Sequence, residues 1–147
     1  CYAKRGFFTF QHDRYRTSII KLPAKLPPAV RVHAAGDFDS VEYIDAVREA
    51  TQAAPDTKFW AYTRSWRVPA LLPALERLRA LPNFQLFASV DLSIDDAPPE
   101  GWRVAFIKDD PRYNGPQCME QTGKHPDCAA CGYCFVGHRG NISFGQH

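Results

Sequence analysis

Long apolar runs are missing from this sequence of 147 residues. No stretch approaches the roughly 18 consecutive apolar residues that a membrane-spanning helix requires. The leading segment CYAKRGFFTFQHDRYR is too polar for a secretory signal peptide. We therefore expect a cytoplasmic protein that does not associate with membranes. Its apolar content of 45% and its length predict one globular domain spanning residues 1–147.

Familiar catalytic motifs are also missing. The sequence contains no Walker loop, no paired-glycine dinucleotide motif, no HExxH pair and no nucleophile elbow. Ser65 and Ser89 lack the sequence context of a hydrolase nucleophile, so we do not expect serine hydrolase chemistry. Whether the protein is an enzyme therefore stays open at this point.

Cysteine is scarce, but it is concentrated near the end of the chain. The sequence has five cysteines, and three of them fall within seven consecutive positions, residues 128–134. Thiols stay reduced in the cytoplasm, so clustered cysteines there are more often metal ligands or redox groups than disulfides. The odd number of cysteines agrees with this interpretation.

The spacing of these cysteines is Cys-x9-Cys-x2-Cys-x2-Cys. Three consecutive cysteines with two-residue gaps are typical of loops around one corner of a 4Fe-4S cluster, whereas structural zinc sites usually use two separate cysteine pairs. We therefore predict a 4Fe-4S cluster, with zinc as the alternative. Its bonds would order a segment that lacks a core of its own. The predicted ligands are Cys118, Cys128, Cys131 and Cys134.

Alternating strand and helix patterns fill the middle of the chain. Predicted strands begin near residues 30, 58 and 84, a repeat of about 26 residues that favours successive strand–helix units and a parallel sheet. Helical spacing of apolar residues occurs over 39–54 and again over 69–81. Asp39 and Glu42 fit a capping box at the start of the first helix. A further strand is predicted over 102–110.

The chain length limits the fold that these units can build. A complete eight-stranded β/α barrel needs about 250 residues. We therefore predict an α/β protein with a partial (half) β/α barrel, or a small parallel sheet of four to five strands. Residues 1–110 would form this core. Residues 111–147, rich in Gly, Pro, Cys, Asn and His, would form a loop-rich, metal-binding C-terminal segment.

Polar residues follow the predicted strands. The carboxyl ends of parallel strands share one rim of the sheet, where ligands commonly bind, so we predict a site there for a polar or phosphorylated ligand. The alternative is structural: the aspartates would cap turns, and the arginine would pair with one of them. The candidate binding residues are His33, Gly36, Asp37, Arg64, Ser89 and Asp91.

Charge is unevenly distributed along the chain. Residues 1–31 carry a net charge of +6, whereas the remaining residues carry −4. Basic side chains interleaved with aromatic ones are typical of nucleic-acid surfaces, although a solvated basic face is the simpler interpretation. The residues that would contact phosphates are Lys4, Arg5, Arg14 and Arg16.

Several phrases of the sequence resemble one known family. CYAKRG, RVHAAGDFDSVEYIDA, KFWAYTRSW and the cysteine-rich end with QTG and NISFGQH are similar to the phage and prophage family called gene product 88. That family resembles, distantly, the radical S-adenosylmethionine proteins. The resemblance implies a strand–helix half-barrel, iron–sulfur chemistry, and a GDF phrase at Asp37 where such enzymes bind the methionine part of S-adenosylmethionine.

One feature of those radical enzymes has no counterpart in this sequence. They use three cysteines on an early loop, and no such loop precedes Cys1. Two alternatives follow from this difference. Either the sequence begins inside a longer chain, or this member keeps only the C-terminal cysteines.

Three functions remain open from the sequence. The first is a phage-type iron–sulfur protein in a structural or electron-transfer role, served by a redox partner. The second is a radical enzyme remnant that uses the strand-end rim, and the third is a zinc-stabilised module that binds nucleic acid. The uncovered edge of a partial barrel also favours pairing with a second copy, as a homo-oligomer, or with the C-terminal segment.

Overall fold

The structure is a computed structural model, and it describes residues 25–33, 36–137 and 140–145. Its strands form one parallel sheet in the order β1-β2-β3-β4-β5. The predicted phosphate-binding residues Lys4, Arg5, Arg14 and Arg16, as well as Cys1, lie outside the described residues. The strands are β1 (Ala29–Arg31), β2 (Lys58–Thr63), β3 (Phe84–Ser89), β4 (Arg103–Ile107) and β5 (Ile142–Phe144).

Helices connect the first strands. They are α1 (Val41–Gln52) between β1 and β2, α2 (Leu72–Arg79) between β2 and β3, and the short α3 (Cys128–Cys131) before β5. A 3-10 turn, Ser65–Arg67, follows β2. In the described ranges, no helix has the length and apolar character needed to cross a membrane.

The sheet confirms the predicted half-barrel. Sequential strand order with parallel pairing is how a β/α barrel is built, because each helix returns the chain to the next position in the sheet. The first three strands begin at residues 29, 58 and 84, close to the predicted starts. The loop over 92–101 between β3 and β4 contains no helix, as its Pro-rich sequence indicates.

The predicted capping box at the start of α1 is wrong by one residue. The cap is Ser40, which has an extended backbone (φ −152°, ψ 157°) and accepts a hydrogen bond from the Tyr43 amide on its side chain at 3.3 Å. Serine suits this position because its short hydroxyl reaches the free amides of the first turn. Asp39 therefore precedes the cap.

The two faces of the sheet are covered differently. Successive strand residues point to opposite faces, so Phe59 and Ala61 of β2 face the helices while Trp60 and Tyr62 face the other way. We call the side packed by α1 and α2 the outer face. We call the side covered by Cys118, Tyr133, Cys134 and Phe135 the inner face. The outer face holds the main apolar core.

The C-terminal segment has more regular structure than the sequence predicts. Its last described residues form β5, which pairs with β4 in the register Ala105 to Ile142. Ile142 and Cys118 are buried with Phe87 and Ala105 in a small second core on the inner face. The expectation that only a metal centre orders this segment is therefore wrong, since strand pairing and packing contribute as well.

Candidate metal centre

The predicted thiol ligands come together on the inner face of the sheet. All four line one small cavity, although the first is separated from the others by nine residues of sequence. None of the cysteines that the structure describes forms a disulfide. Phe135 and Ile142 supply apolar walls, and the carboxylate-bearing Glu120 lies at the same cavity. The four thiols belong to Cys118, Cys128, Cys131 and Cys134.

Cys118 is fixed by the edge of the sheet. Its backbone amide donates to the carbonyl of Ser143 at 2.8 Å, and the Ser143 amide donates to Pro116 at 3.1 Å, so residues 116–118 run along β5. The Cys118 side chain is buried beside Ile142. The first ligand is therefore held by protein contacts alone.

Cys128 and Cys131 are the first and last residues of α3. Asp127 caps this turn by accepting the Ala130 amide at 2.8 Å. Gly132 ends it with a left-handed backbone (φ 66°), and a Cβ there would lie 3.3 Å from a methyl of Val136. Glycine is needed here because other residues are strained in this conformation. The reversal directs the chain back to place the last thiol at the cavity.

Burial differs among the thiols and affects their acidity. Cys118 is buried and Cys134 is half-buried, whereas Cys128 lies at the surface. Burial raises the pKa of Cys134 to about 11, and partial burial together with the neighbouring Cys118 thiol raises the pKa of Cys128. These thiols are therefore protonated at neutral pH, and a metal must displace protons to bind them.

Tyr62 contacts the candidate centre from the sheet. Its phenol oxygen lies 2.9 Å from the sulfur of Cys134. Burial raises the pKa of Tyr62 far above its ordinary value, so the phenol keeps its proton. Sequence analysis missed this residue. The period-two alternation places it beside Trp60 on one strand face, but alternation does not tell which segment covers that face.

Arg103 ties the C-terminal segment to β4. Its guanidinium donates to the carbonyls of Cys134 at 3.2 Å, Tyr133 at 3.1 Å and Gly140 at 3.1 Å. It also stacks over the Phe87 ring, with 4.1 Å from its central carbon to the ring centroid. The planar fork of arginine suits several carbonyls at once. No pattern in the sequence indicates this role.

The ligand types fit a thiolate-bound centre, but the present arrangement is open. In residues 25–33, 36–137 and 140–145, no group of three or more His, Cys, Asp or Glu side chains is arranged to hold a metal ion. The four thiols share a cavity with apolar walls, which is the donor set that zinc and iron–sulfur clusters prefer. The sulfurs therefore surround a space without forming a single-ion site.

The strand-end rim brings some of its predicted residues together. Asp37 accepts hydrogen bonds from the Thr63 hydroxyl at 2.5 Å and the Arg64 amide at 2.7 Å. The Arg64 side chain forms an ion pair with Asp91, joining the ends of β2 and β3. The Ser93 hydroxyl, ahead of other neighbours, lowers the pKa of Asp91. These contacts serve the structural role that the sequence left open as an alternative.

The remaining rim residues have fewer contacts. Ser89 contributes its carbonyl, which accepts the Trp66 indole N–H at 3.4 Å. Gly36 has a left-handed backbone (φ 89°), and no atom of the described residues lies within 4 Å of the position that a Cβ would occupy there. His33, also left-handed (φ 63°), bonds through Nε2 to the Tyr43 hydroxyl at 2.8 Å. Its Nδ1 is buried without a hydrogen-bond partner among the described residues.

Comparison with known proteins identifies a family and two relatives that this chain resembles. A family model described as "Gene product 88" matches residues 3–137. The "Gene 88 protein" of Mycobacterium phage L5 is 31% identical over 137 residues, covering 82% of this chain and 55% of the relative. That of Mycobacterium phage D29 is 27% identical over 133 residues, covering 78% and 54%.

This chain thus spans about half the length of both relatives. No solved structure matches it. The family model covers most of the sequence, including the strand-end rim and all four cysteines of the inner-face cavity. The chain belongs to the gene product 88 family of phage proteins.

Proposed function

We propose that this protein is a phage-type iron–sulfur protein that binds a 4Fe-4S cluster through its four C-terminal cysteines. The observation that carries the proposal is the shared cavity, which four thiols without disulfide bonds line. One comes from the segment beside β5, two from α3 and one from the turn after α3. Thiolates are the protein ligands that such clusters use. The cluster would serve a structural or an electron-transfer role.

The spacing of the cysteines along the sequence favours a cluster over a single zinc ion, because three cysteines at two-residue gaps are typical of loops around a 4Fe-4S cluster. Sulfur ligands lie about 2.3 Å from zinc, so all four would crowd around one point. In a 4Fe-4S cluster each thiolate binds a different iron, so the ligands stand farther apart.

The walls of the cavity suit a centre that must be protected from water. Phe135 packs against Trp60 of the sheet with ring centroids 4.8 Å apart, and Ile142 is buried beneath. A bound cluster would supply one-electron exchange at a potential set by burial and by hydrogen bonds to its sulfurs. The chain's own contribution is to hold the thiols, exclude water and leave one side, at Cys128, near the surface.

Anaerobic purification followed by metal analysis tests the proposal. We expect brown protein with about four irons and four sulfides per chain. Cys131→Ser should lose the visible absorbance and most of the iron. Ala129→Ser, at an exposed position in the same helical turn as Cys131, is the matched control and should keep both. Colourless protein with one zinc per chain would contradict the proposal and favour the zinc-stabilised module.

A second candidate function is binding of S-adenosylmethionine at the strand-end rim. It is favoured by His33, whose buried Nδ1 has no hydrogen-bond partner among the described residues. An unpaired buried nitrogen is costly, and a ligand donor or acceptor would relieve that cost. Isothermal titration with S-adenosylmethionine should show binding that His33→Ala removes. Absence of binding to the wild-type protein would contradict this candidate.

A further inference from the structure

Tyr62 is held rigidly against the candidate centre. Its ring packs on Phe87 and Phe144, each with ring centroids 5.1 Å away, and the Arg31 guanidinium lies 5.1 Å from its centroid on the inner face. These neighbours leave the hydroxyl pointing at Cys134, with 2.9 Å between oxygen and sulfur. The geometry of this contact is therefore set by the sheet and not by the cysteine loop.

The direction of this hydrogen bond follows from chemistry. A metal-bound cysteine is a thiolate and carries no proton, so the phenol must be the donor. The backbone of the same cysteine is held separately, because its carbonyl accepts from Arg103 at 3.2 Å. Cys134 is thus fixed at two points before any metal arrives, whereas Cys128 lies at the surface.

We propose that Tyr62 is a positioning residue for Cys134, whose O–H hydrogen bond fixes this ligand and raises the reduction potential of the centre. The reduced centre carries one more negative charge, part of which resides on the sulfurs. A donor at a sulfur therefore stabilises the reduced form more than the oxidised form. This inference rests on the proposed function, since a reduction potential requires a redox-active cluster.

The test compares Tyr62→Phe with a matched control, Tyr43→Phe. Tyr43 also places its hydroxyl in a hydrogen bond, at 2.8 Å from His33 Nε2, but it packs with the outer-face core. Both variants keep the ring and lose one hydroxyl. After anaerobic cluster assembly, we expect a more negative midpoint potential in Tyr62→Phe and an unchanged potential in Tyr43→Phe. Equal potentials in Tyr62→Phe and the wild-type protein, at equal iron content, would overturn the inference.

Cobalt provides a reading that does not depend on cluster assembly. Reduced, metal-free protein is titrated with Co²⁺, and the sulfur-to-cobalt charge-transfer absorption is recorded for the three proteins. Loss of the hydrogen bond raises the energy of the sulfur electrons, so the band of Tyr62→Phe should move to longer wavelength. An identical band in all three proteins overturns the inference. This test also applies if Tyr62→Phe assembles no cluster, because it uses cobalt alone.

The same titration separates the inference from the proposed function. If the wild-type protein binds cobalt or zinc but no iron–sulfur cluster, the proposed function fails. The cobalt band of Tyr62→Phe alone then decides whether Tyr62 donates a hydrogen bond to the Cys134 ligand. If the wild-type protein binds neither cobalt nor iron, both are overturned. Circular dichroism of each variant confirms that the sheet is folded in every comparison.

Discussion

The two faces of the same sheet are stabilised by different means. The outer face is closed by α1 and α2, whose Ile44, Leu75 and Leu78 are completely buried against strand residues such as Phe84. The inner face is closed by a segment with one short strand and one short helix. That segment contributes thiols, carbonyls and a few apolar side chains to a much smaller core.

This difference shows how one sheet can have a large apolar core on one face and a group of thiols on the other. Apolar burial contributes roughly 25 cal/mol per Å², so the larger core of the outer face should contribute more stability than the smaller core of the inner face. On the inner face the chain places sulfur where more apolar side chains would otherwise pack. A bound centre would then add the stability that the smaller core lacks. The two faces should therefore respond differently to substitution.

Leu75→Ala should give the largest effect because it creates a cavity in the outer face. Leu75 of α2 is completely buried. Removal of a buried leucine side chain costs about 2–5 kcal/mol of unfolding free energy. Denaturant-induced unfolding, followed by circular dichroism, measures this loss. If the proposed centre is present, we expect the variant to retain it at temperatures where it is still folded, because no cavity-lining residue is changed.

Val68→Ala is the control for this variant. Val68 is 44% exposed, so its shortening should change the unfolding free energy by less than about 0.5 kcal/mol. Loss of the proposed centre from Leu75→Ala while it is still folded would mean that the inner face depends on the packing of the outer face.

Arg103→Lys should have an intermediate effect that is confined to the inner face. Lysine keeps the charge but loses the planar fork that bonds several carbonyls of the C-terminal segment and stacks on Phe87. Hydrogen bonds from a charged group contribute about 1.5–3 kcal/mol each, so part of this should be lost. Hydrogen exchange should show faster exchange over residues 131–145, with little change in α1 and α2.

Arg79→Lys is the matched control on the outer side. Arg79 also stacks on an aromatic ring, Trp102 at 5.6 Å, and it pairs with Glu76 at 2.9 Å. Exposed pairs of this kind contribute at most about 1 kcal/mol. Equal changes in hydrogen exchange for the two variants would mean that Arg103 is an ordinary surface cation and does not organise the inner face.

The sheet was predictable from the sequence because its signals are local and repeated. Strand starts and apolar spacing identified β1 to β4 and both main helices. The short strand β5 was not predicted, since Ile142–Phe144 is three residues long and follows glycine and asparagine. A period of two cannot be recognised over so few residues. Its pairing with β4 is decided by tertiary contacts.

The candidate site was predictable only in its cysteines. Their spacing is a covalent property of the sequence, and the shared cavity agrees with it. The contacts of Tyr62 and Arg103 depend on which face of the sheet the last segment covers, and no local pattern encodes that choice. The aspartates at the rim fit both a ligand site and a structural role, and residue type alone does not separate the two.

Mild acid should give the smallest decrease in unfolding free energy. It should act through His33, which packs against Phe38 of the outer-face core. Burial lowers the pKa of His33 below its ordinary value, outweighing the nearby carboxylates of Asp37 and Asp39, which raise it, while Arg31 lowers it further.

The unfolded chain therefore takes up this proton at a higher pH than the folded protein. Stability should fall as pH drops through about 6.5 towards the folded-state pKa, with a slope of at most about 1.4 kcal/mol per pH unit. His33→Asn tolerates the left-handed backbone and cannot titrate, so its unfolding free energy should fall less between pH 7.5 and pH 5.5, as measured by denaturant titration. The same pH dependence in both proteins would show that His33 does not contribute, and the acid sensitivity would then belong to other groups.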